Sequence, residues 1–252
     1  MKIEKIKLKM FKEKSHQKEF DEFGYVKLEL FNKEDLAYLN SVYEETKGLV
    51  ELNQPFYTSI WSENESYKNK VDQEIKKVFL KRLDKYITNF KTVFGNFMVK
   101  KQSRNSDLNP HQDWNFVNEE NSYTITIWAP LSNVNKSNGA LEIFPKSHNK
   151  FKNFIRPRFA DSVFLDELNY IKENCMECVE MNAGEALFVN SRTIHGSSIN
   201  CDSKERIAAT LVVAEKKEPL VHYVELKDKK EIVKLDIEPS FFIKYSCYDN
   251  PI

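Results

Sequence analysis

The sequence predicts a mainly β domain with flanking helices, of the sandwich, jelly-roll or barrel kind. Three observations carry that expectation. From Asn96 onward, short runs of β-branched and aromatic residues recur, at 96–101, 123–129, 139–144, 177–181, 185–189 and 206–214. Connectors rich in Asn and Gly separate several of them, at 133–139, 182–184 and 196–202, the texture of many short strands joined by turns. Upstream of Asn96 the apolar residues recur at helical spacing instead.

The elements follow in order. At the N-terminus Ile3, Ile6, Leu8 and Met10 alternate with Lys5, Lys7 and Lys9, which reads as an edge strand with solvated lysines across 1–14. Residues 20–30 read as a short helix running into a strand. Phe20 and Phe23 share a face, Gly24 breaks the helix, and 25–28 is extended. Asn32 can cap the next helix, with Asp35 in the capping-box position, and Leu36, Leu39, Val42 and Tyr43 then fall at helical spacing. Residues 67–94 form a second helical stretch, whose stripe of Val71, Ile75, Val78, Phe79, Leu83, Tyr86, Ile87 and Phe90 packs the core. The tail after Ala214 is rich in Val, Ile, Phe and Tyr, and 238–242 reads as an extra strand or a lid. No repeat of fixed period and no low-complexity linker divides the chain. We therefore expect a single domain over 1–252: a helical part to about 95, a β core over 96–214, and an extension over 215–252.

Composition removes several classes of function. The 252 residues carry 38 Lys+Arg against 38 Asp+Glu, without the basic excess of a nucleic-acid binder. The balance of 41% hydrophobic and 30% charged residues is that of a globular protein. No run approaches the roughly 18 apolar residues of a membrane span, and the basic N-terminus lacks the apolar run of a secretory signal. Four cysteines, Cys175, Cys178, Cys201 and Cys247, are too few for a disulfide scaffold. A cytoplasmic protein without membrane or nucleic-acid partners is expected.

The chemistry concentrates in two places. His111 and Asp113 form His-x-Asp after the loop 105–110, and residues two apart on an extended segment point the same way. His195 lies 82 positions beyond Asp113, after the apolar run 186–189. Two histidines and one carboxylate on one face leave three positions open on an octahedral metal. That suits non-haem Fe(II), which must hold a cosubstrate and O2 together. Ser197 follows His195 by two residues and Arg206 by eleven. A guanidinium inside a barrel with a hydroxyl beside it suits the distal carboxylate of a keto-acid chelator.

Several motifs in one order resemble the phytanoyl-CoA dioxygenase family of Fe(II)/2-oxoglutarate oxygenases, over about 20–213. They are Phe20-Asp21-Glu22-Phe23-Gly24-Tyr25-Val26, His111-Gln112-Asp113-Trp114, Trp128-Ala129-Pro130-Leu131, Asn138-Gly139-Ala140-Leu141, Phe144-Pro145-Lys146-Ser147-His148, Gly184-Glu185-Ala186-Leu187-Phe188, His195-Gly196-Ser197-Ser198, Asn200 and Arg206. The resemblance implies a double-stranded β-helix core, jelly-roll and cupin-like, with helices outside. It implies iron on His111, Asp113 and His195. It also implies 2-oxoglutarate held at its C5 carboxylate by Arg206 and Ser197, with Gln102 and Thr126 at the other end or bordering the substrate. Trp128 matches a family tryptophan near the site and is equally well placed as core. Lys146 departs from the glycine the family often has in that turn, where His148 reads as structural. Related halogenases lack the carboxylate that Asp113 supplies, so the resemblance implies hydroxylation, or another oxidation such as desaturation.

The expected function is an Fe(II)- and 2-oxoglutarate-dependent dioxygenase that hydroxylates a small metabolite or natural-product intermediate with O2, releasing succinate and CO2. Alternatives are a non-catalytic β-helix ligand-binding protein, or a metal-dependent cupin-like isomerase or hydrolase. Trp114 and Phe116, just past the metal motif, are candidate substrate walls. The basic residues Lys100, Lys101, Arg104, Arg156 and Arg158 flank the expected barrel mouth. They form either a solvated rim or a grip on an anionic or carrier-bound substrate, with Arg104, Arg156 and Arg158 the substrate-binding candidates. Cys175-x-x-Cys178 has no second pair for zinc and no thioredoxin-like surroundings.

Overall fold

In the computed structural model, residues 9–49, 54–120, 122–151, 155–157, 165–226, 229 and 231–245 are described. Helix α1 (Lys14–Phe23) leads into β1 (Tyr25–Glu29) and α2 (Lys33–Thr46), then β2 (Phe56–Thr58) and α3 (Glu65–Leu83). The long β3 (Phe90–Lys100) is followed by β4 (Leu108–His111), β5 (Thr124–Pro130) and β6 (Leu141–Ile143). Helices α4 (Ser147–Lys150) and α5 (Leu168–Asn174) precede β7 (Glu177–Cys178), β8 (Glu185–Asn190), β9 (His195–Ser197) and β10 (Arg206–Glu215). The hairpin β11 (Leu220–Leu226) and β12 (Glu231–Ile237) and a short α6 (Phe241–Lys244) complete it.

Two antiparallel sheets form the core. One has the order β1-β8-β5-β10-β3-β2 and the other β4-β9-β6-β7. The strands of the larger sheet alternate with period two. Phe97, Val99, Ile125, Ile127, Phe188, Ala209 and Leu211 cluster with Ile75 and Phe79 of α3. Trp128, Leu187, Val189 and Ala208 cluster instead with Leu141 and Ile143 of the smaller sheet. The result is three layers, helices over the large sheet and the large sheet over the small one. Position 95 must be glycine-sized for the outer packing, because a Cβ there would sit 2.7 Å from Ile75 Cγ2.

The capping box at Asn32 and Asp35 forms as the sequence indicates. The helical stretch expected over 67–94 ends at Leu83 instead, and the chain turns through Asn89 at φ 56 before Phe90 opens β3. Tyr86 and Ile87 still reach the core, so apolar spacing outlived the helix. Of the N-terminal edge strand, Ile3, Lys5, Ile6, Lys7 and Leu8 lie outside the described residues. Phe11 makes a single bridge to Ile87, and Lys14 already opens α1. Residues 238–242 are not a strand: they turn into α6, whose Phe241 and Phe242 are buried. Cys175 and Cys178 are free thiols, and Cys247 lies outside the described residues.

Gly24 ends α1 at φ 86, and its missing side chain leaves room for His148 Nδ1, 2.4 Å from where a Cβ would stand. Lys146 adopts φ 68, the left-handed region glycine favours. A glycine would meet this backbone without a side chain to strain it, whereas Lys146 carries a Cβ there.

Candidate metal centre

Strand β4 delivers His111 and β9 delivers His195. The two are direct cross-strand partners, with ring centroids 4.4 Å apart. Each Nδ1 faces a backbone carbonyl, His111 that of Asn109 at 2.8 Å and His195 that of Thr193 at 2.9 Å. A carbonyl can only accept, so each Nδ1 carries the proton and each Nε2 keeps its lone pair. Asp113 sits just beyond β4, tied by its amide to the Ser191 carbonyl at 3.1 Å. Its Oδ2 accepts from the Thr126 hydroxyl at 2.6 Å, and its Oδ1 lies 3.6 Å from His195 Nε2. One ligand atom from each of the three residues falls within 4.8 Å of the others. Burial, and then the neighbouring His195, hold the His111 imidazole well below its usual range. Two imidazole nitrogens with their tautomers already fixed and one oriented carboxylate oxygen fit a divalent transition metal.

A second group lies deeper between the sheets. Arg206 opens β10 directly opposite Lys100, the last residue of β3. Arg206 is buried; one Nη donates to the Met98 carbonyl at 3.1 Å, and its guanidinium lies 5.3 Å over the Trp128 ring. Its Nε has no hydrogen-bond partner among the described residues, and burial pushes the group down to about 9. Lys100 Nζ donates to the Ser197 hydroxyl oxygen at 2.7 Å. Burial, and then Arg206, push this ammonium down to about 7.

A cavity of about 420 Å³ opens over His111 and Asp113. Phe56, Ile60, Trp61, Phe94 and Ile155 form much of its wall, together with Trp114 and Phe116. Phe116 is held by Phe94 at 5.6 Å and by Phe242 of α6 at 5.4 Å, so the tail braces the wall. Thr126 and Arg156 also line the cavity. Arg156 is engaged with protein: its Nη2 meets Glu119 at 2.6 Å, and its Nε donates to the Asp113 carbonyl at 2.5 Å.

Other expected site residues stand elsewhere. Gln102 is exposed and donates its amide to the Cys201 carbonyl at 3.0 Å, because the chain leaves the sheet after Lys100. Arg104 is exposed in a turn and does not line the cavity. Trp128 belongs to the inter-sheet core and meets the site through Arg206. Arg158 lies outside the described residues. Sequence reasoning put Lys100 on the rim, whereas it is fully buried. The period-two alternation that turns Asn96 and Met98 inward, against Phe97 and Val99 outward, carries the signal for it. Glu119 was missed: it lies in no motif, and it meets Arg156 and the Ser191 hydroxyl only through contacts distant in sequence.

The sequence profile of the family described as phytanoyl-CoA dioxygenase (PhyH) matches residues 42–208. A phytanoyl-CoA dioxygenase of Arabidopsis thaliana is 28% identical over 121 residues, which is 47% of this chain and 42% of that protein. The match therefore spans less than half the length of that relative. Among solved structures, the non-heme alpha ketoglutarate dependent carbocyclase SnoK from nogalamycin biosynthesis superposes with TM-score 0.60 at 16% identity, over 82% of this chain and 86% of its own. HygX from Streptomyces hygroscopicus, solved with nickel and 2-oxoglutarate bound, gives 0.58 at 11% identity, over 90% and 97%. EctD from S. alaskensis, with 2-oxoglutarate and 5-hydroxyectoine, gives 0.55 at 17% identity, over 81% and 76%. At such identities the likeness is one of fold.

Proposed function

This chain belongs to the phytanoyl-CoA dioxygenase family, and from that premise we propose that it is an Fe(II)- and 2-oxoglutarate-dependent oxygenase that hydroxylates a C–H bond of a small molecule. The observation that carries the reading is the pairing of His111, Asp113 and His195 with a buried guanidinium, Arg206, that meets no carboxylate among the described residues. A metal site alone would serve many chemistries. The cation behind it asks for an anionic chelator.

Fe(II) with 2-oxoglutarate and O2 supplies the oxidising power, the keto acid leaving as succinate and CO2. The protein's own part is positional. His111 and His195 present Nε2 because their Nδ1 protons are held by carbonyls. Thr126 occupies one oxygen of Asp113 and so aims the other at the histidines. Arg206 and Ser197 would take the distal carboxylate of 2-oxoglutarate, and the aromatic walls would exclude water from the reacting C–H bond. Phe94, Trp114 and Phe116 favour a largely apolar substrate portion beside the metal, of a size that a cavity near 420 Å³ admits. An anionic or carrier-bound substrate finds less support. Of the basic residues expected at the mouth, Arg156 alone lines the cavity among the described residues, and Glu119 already engages it.

No helix among the described residues is long and apolar enough to cross a membrane. The test is ferrous-dependent conversion of 2-oxoglutarate to succinate, stimulated by members of a panel of small apolar metabolites. Loss of that turnover in His111→Ala is expected; unchanged turnover would sink the metal assignment. A ligand-binding protein would bind without consuming O2, and a cupin-like hydrolase or isomerase would ignore 2-oxoglutarate.

A further inference from the structure

Lys100 and Arg206 are an unusual pair to find inside a protein. They are direct partners across β3 and β10, so their side chains share the inner face of the sheet. Lys100 is 0% exposed and Arg206 2%. Like charges directly opposite in an antiparallel pair repel, and burial adds a cost for each. Neither forms an ion pair among the described residues. Lys100 Nζ takes the Ser197 hydroxyl oxygen at 2.7 Å, the Ser197 carbonyl at 3.4 Å and the Ser198 carbonyl. The lysine stem is cradled by Gly139, where a Cβ would stand 2.6 Å from Lys100 Cδ. Two buried cations thus stand side by side, one with an Nε that meets no hydrogen-bond partner among the described residues.

We propose that Lys100 is a positioning residue of the cosubstrate pocket, adding a second positive charge beside Arg206 and setting the Ser197 hydroxyl as a donor. The hydroxyl argument is one of valence. An ammonium can only donate, so its bond to Ser197 Oγ occupies a lone pair of that oxygen and leaves the hydroxyl proton for another acceptor. The distal carboxylate of 2-oxoglutarate is that acceptor, held by Arg206, by Ser197 and by the field of Lys100. The inference rests on the 2-oxoglutarate reading above.

The charge environment gives the proposal a second signature. Lys100 falls to about 7 through burial and then Arg206, with Lys172 acting the same way and Asp107 and Glu142 opposing. A carboxylate arriving beside it favours the ammonium, so binding near neutral pH is accompanied by proton uptake.

The experiment is calorimetry under argon on the Mn(II)-loaded protein, with 2-oxoglutarate and with pyruvate, which chelates through the same keto-acid end and lacks the distal carboxylate. Lys100→Met is expected to weaken 2-oxoglutarate binding about 10- to 100-fold, to leave pyruvate binding within about twofold, and to abolish the proton uptake seen across buffers of different ionisation enthalpy. The metal-free variant is expected to melt at a higher temperature, because a buried repulsion is gone. Lys100→Gln keeps a donor to Ser197 without charge and is expected to fall between; it stands in if Lys100→Met does not fold. Full 2-oxoglutarate affinity in either folded variant, with Arg206→Met still abolishing it, overturns the role of Lys100 and leaves the proposed function standing. Equal losses for both ligands, with a lower melting temperature, would mark Lys100 as merely structural and also overturn the proposal. A wild-type protein that binds pyruvate and 2-oxoglutarate equally, or neither, removes the 2-oxoglutarate reading and this inference together.

Discussion

Replacing Glu119 by Gln should loosen the candidate metal centre from behind. Glu119 Oε1 accepts from Arg156 Nη2 at 2.6 Å and from the Ser191 hydroxyl at 2.8 Å. Both partners hold the metal loop: Arg156 Nε donates to the Asp113 carbonyl, and the Ser191 carbonyl accepts from the Asp113 amide. Arg156 also places its own amide on Asn115 Oδ1 at 2.6 Å. At 2.6 Å and an effective dielectric near 20, the gross attraction of the pair is about 6 kcal/mol. Desolvation offsets much of that, but removing one partner of a buried pair leaves the other charge uncompensated, which costs about 3 to 5 kcal/mol. Glu119→Gln keeps shape and some hydrogen bonding, so about 3 kcal/mol is expected, read as a lower urea midpoint at unchanged slope. Mn(II) affinity should fall about 10- to 100-fold, because Asp113 loses its backbone anchors. Adding Arg156→Met should recover part of the stability but not the metal affinity. A loss under about 1 kcal/mol with wild-type Mn(II) affinity would refute the idea that this pair braces the site.

Three shorter expectations follow from other contacts. Thr126→Val removes the hydroxyl that orients Asp113 Oδ2; metal titration should show an affinity lower by about 10-fold or more, with stability changed by about 1 kcal/mol. Lys146→Gly should stabilise the protein by up to about 1 kcal/mol, because φ 68 carries a strain for a residue with a Cβ that exceeds the gain from its exposed ion pair with Glu22; an unchanged or lower melting temperature would contradict this. In the metal-free protein, the folded site resists protonating His111 while the unfolded chain takes up the proton near its ordinary pKa of 6.5. Stability is therefore insensitive to this group above that value and falls as pH drops below it. Urea midpoints in a chelating buffer at pH 7, 6 and 5 should show the slope, and His111→Gln should flatten it.

What the sequence revealed depended on how much of each element a pattern could occupy. Strands β5, β8 and β10 span six to ten residues, long enough for alternation and β-branched content to declare them. Strands β4 and β9 span four and three residues and carry Asn, Pro, His and Gly, so nothing local marks them as strands. Yet these two bring His111 and His195 together. The candidate metal ligands could still be picked out because His-x-Asp keeps its two-residue geometry even in a fragment of strand. Lys100 shows the opposite failure. Its neighbours Lys101 and Arg104 made it look like part of a solvated basic cluster, while the alternation of β3 had already turned it inward. Gln102 failed for the complementary reason. Two residues past the end of β3 the pleat no longer applies, and its side chain reaches the Cys201 carbonyl rather than the site.

The same sheet explains how a neutral chain can hold so much unbalanced charge at one point. On its outer face, the strands that carry the site present Phe97, Val99, Ile125, Ile127 and Leu211 to α3, all essentially without exposure. Each such side chain contributes about 1.5 to 3 kcal/mol on burial, and none depends on a ligand. The inner face carries Lys100, Arg206, Thr126 and Thr210, whose burial gains little or costs stability. The period of two separates the two demands residue by residue, so a substitution at an odd position of β3 should move stability. One at Lys100 should move ligand binding and stability in opposite directions. Total charge is blind to this, since 38 positive and 38 negative side chains sum to zero wherever they stand. What matters is that two of the positive ones face inward, across from each other, on a sheet whose other side is stable enough to keep them there.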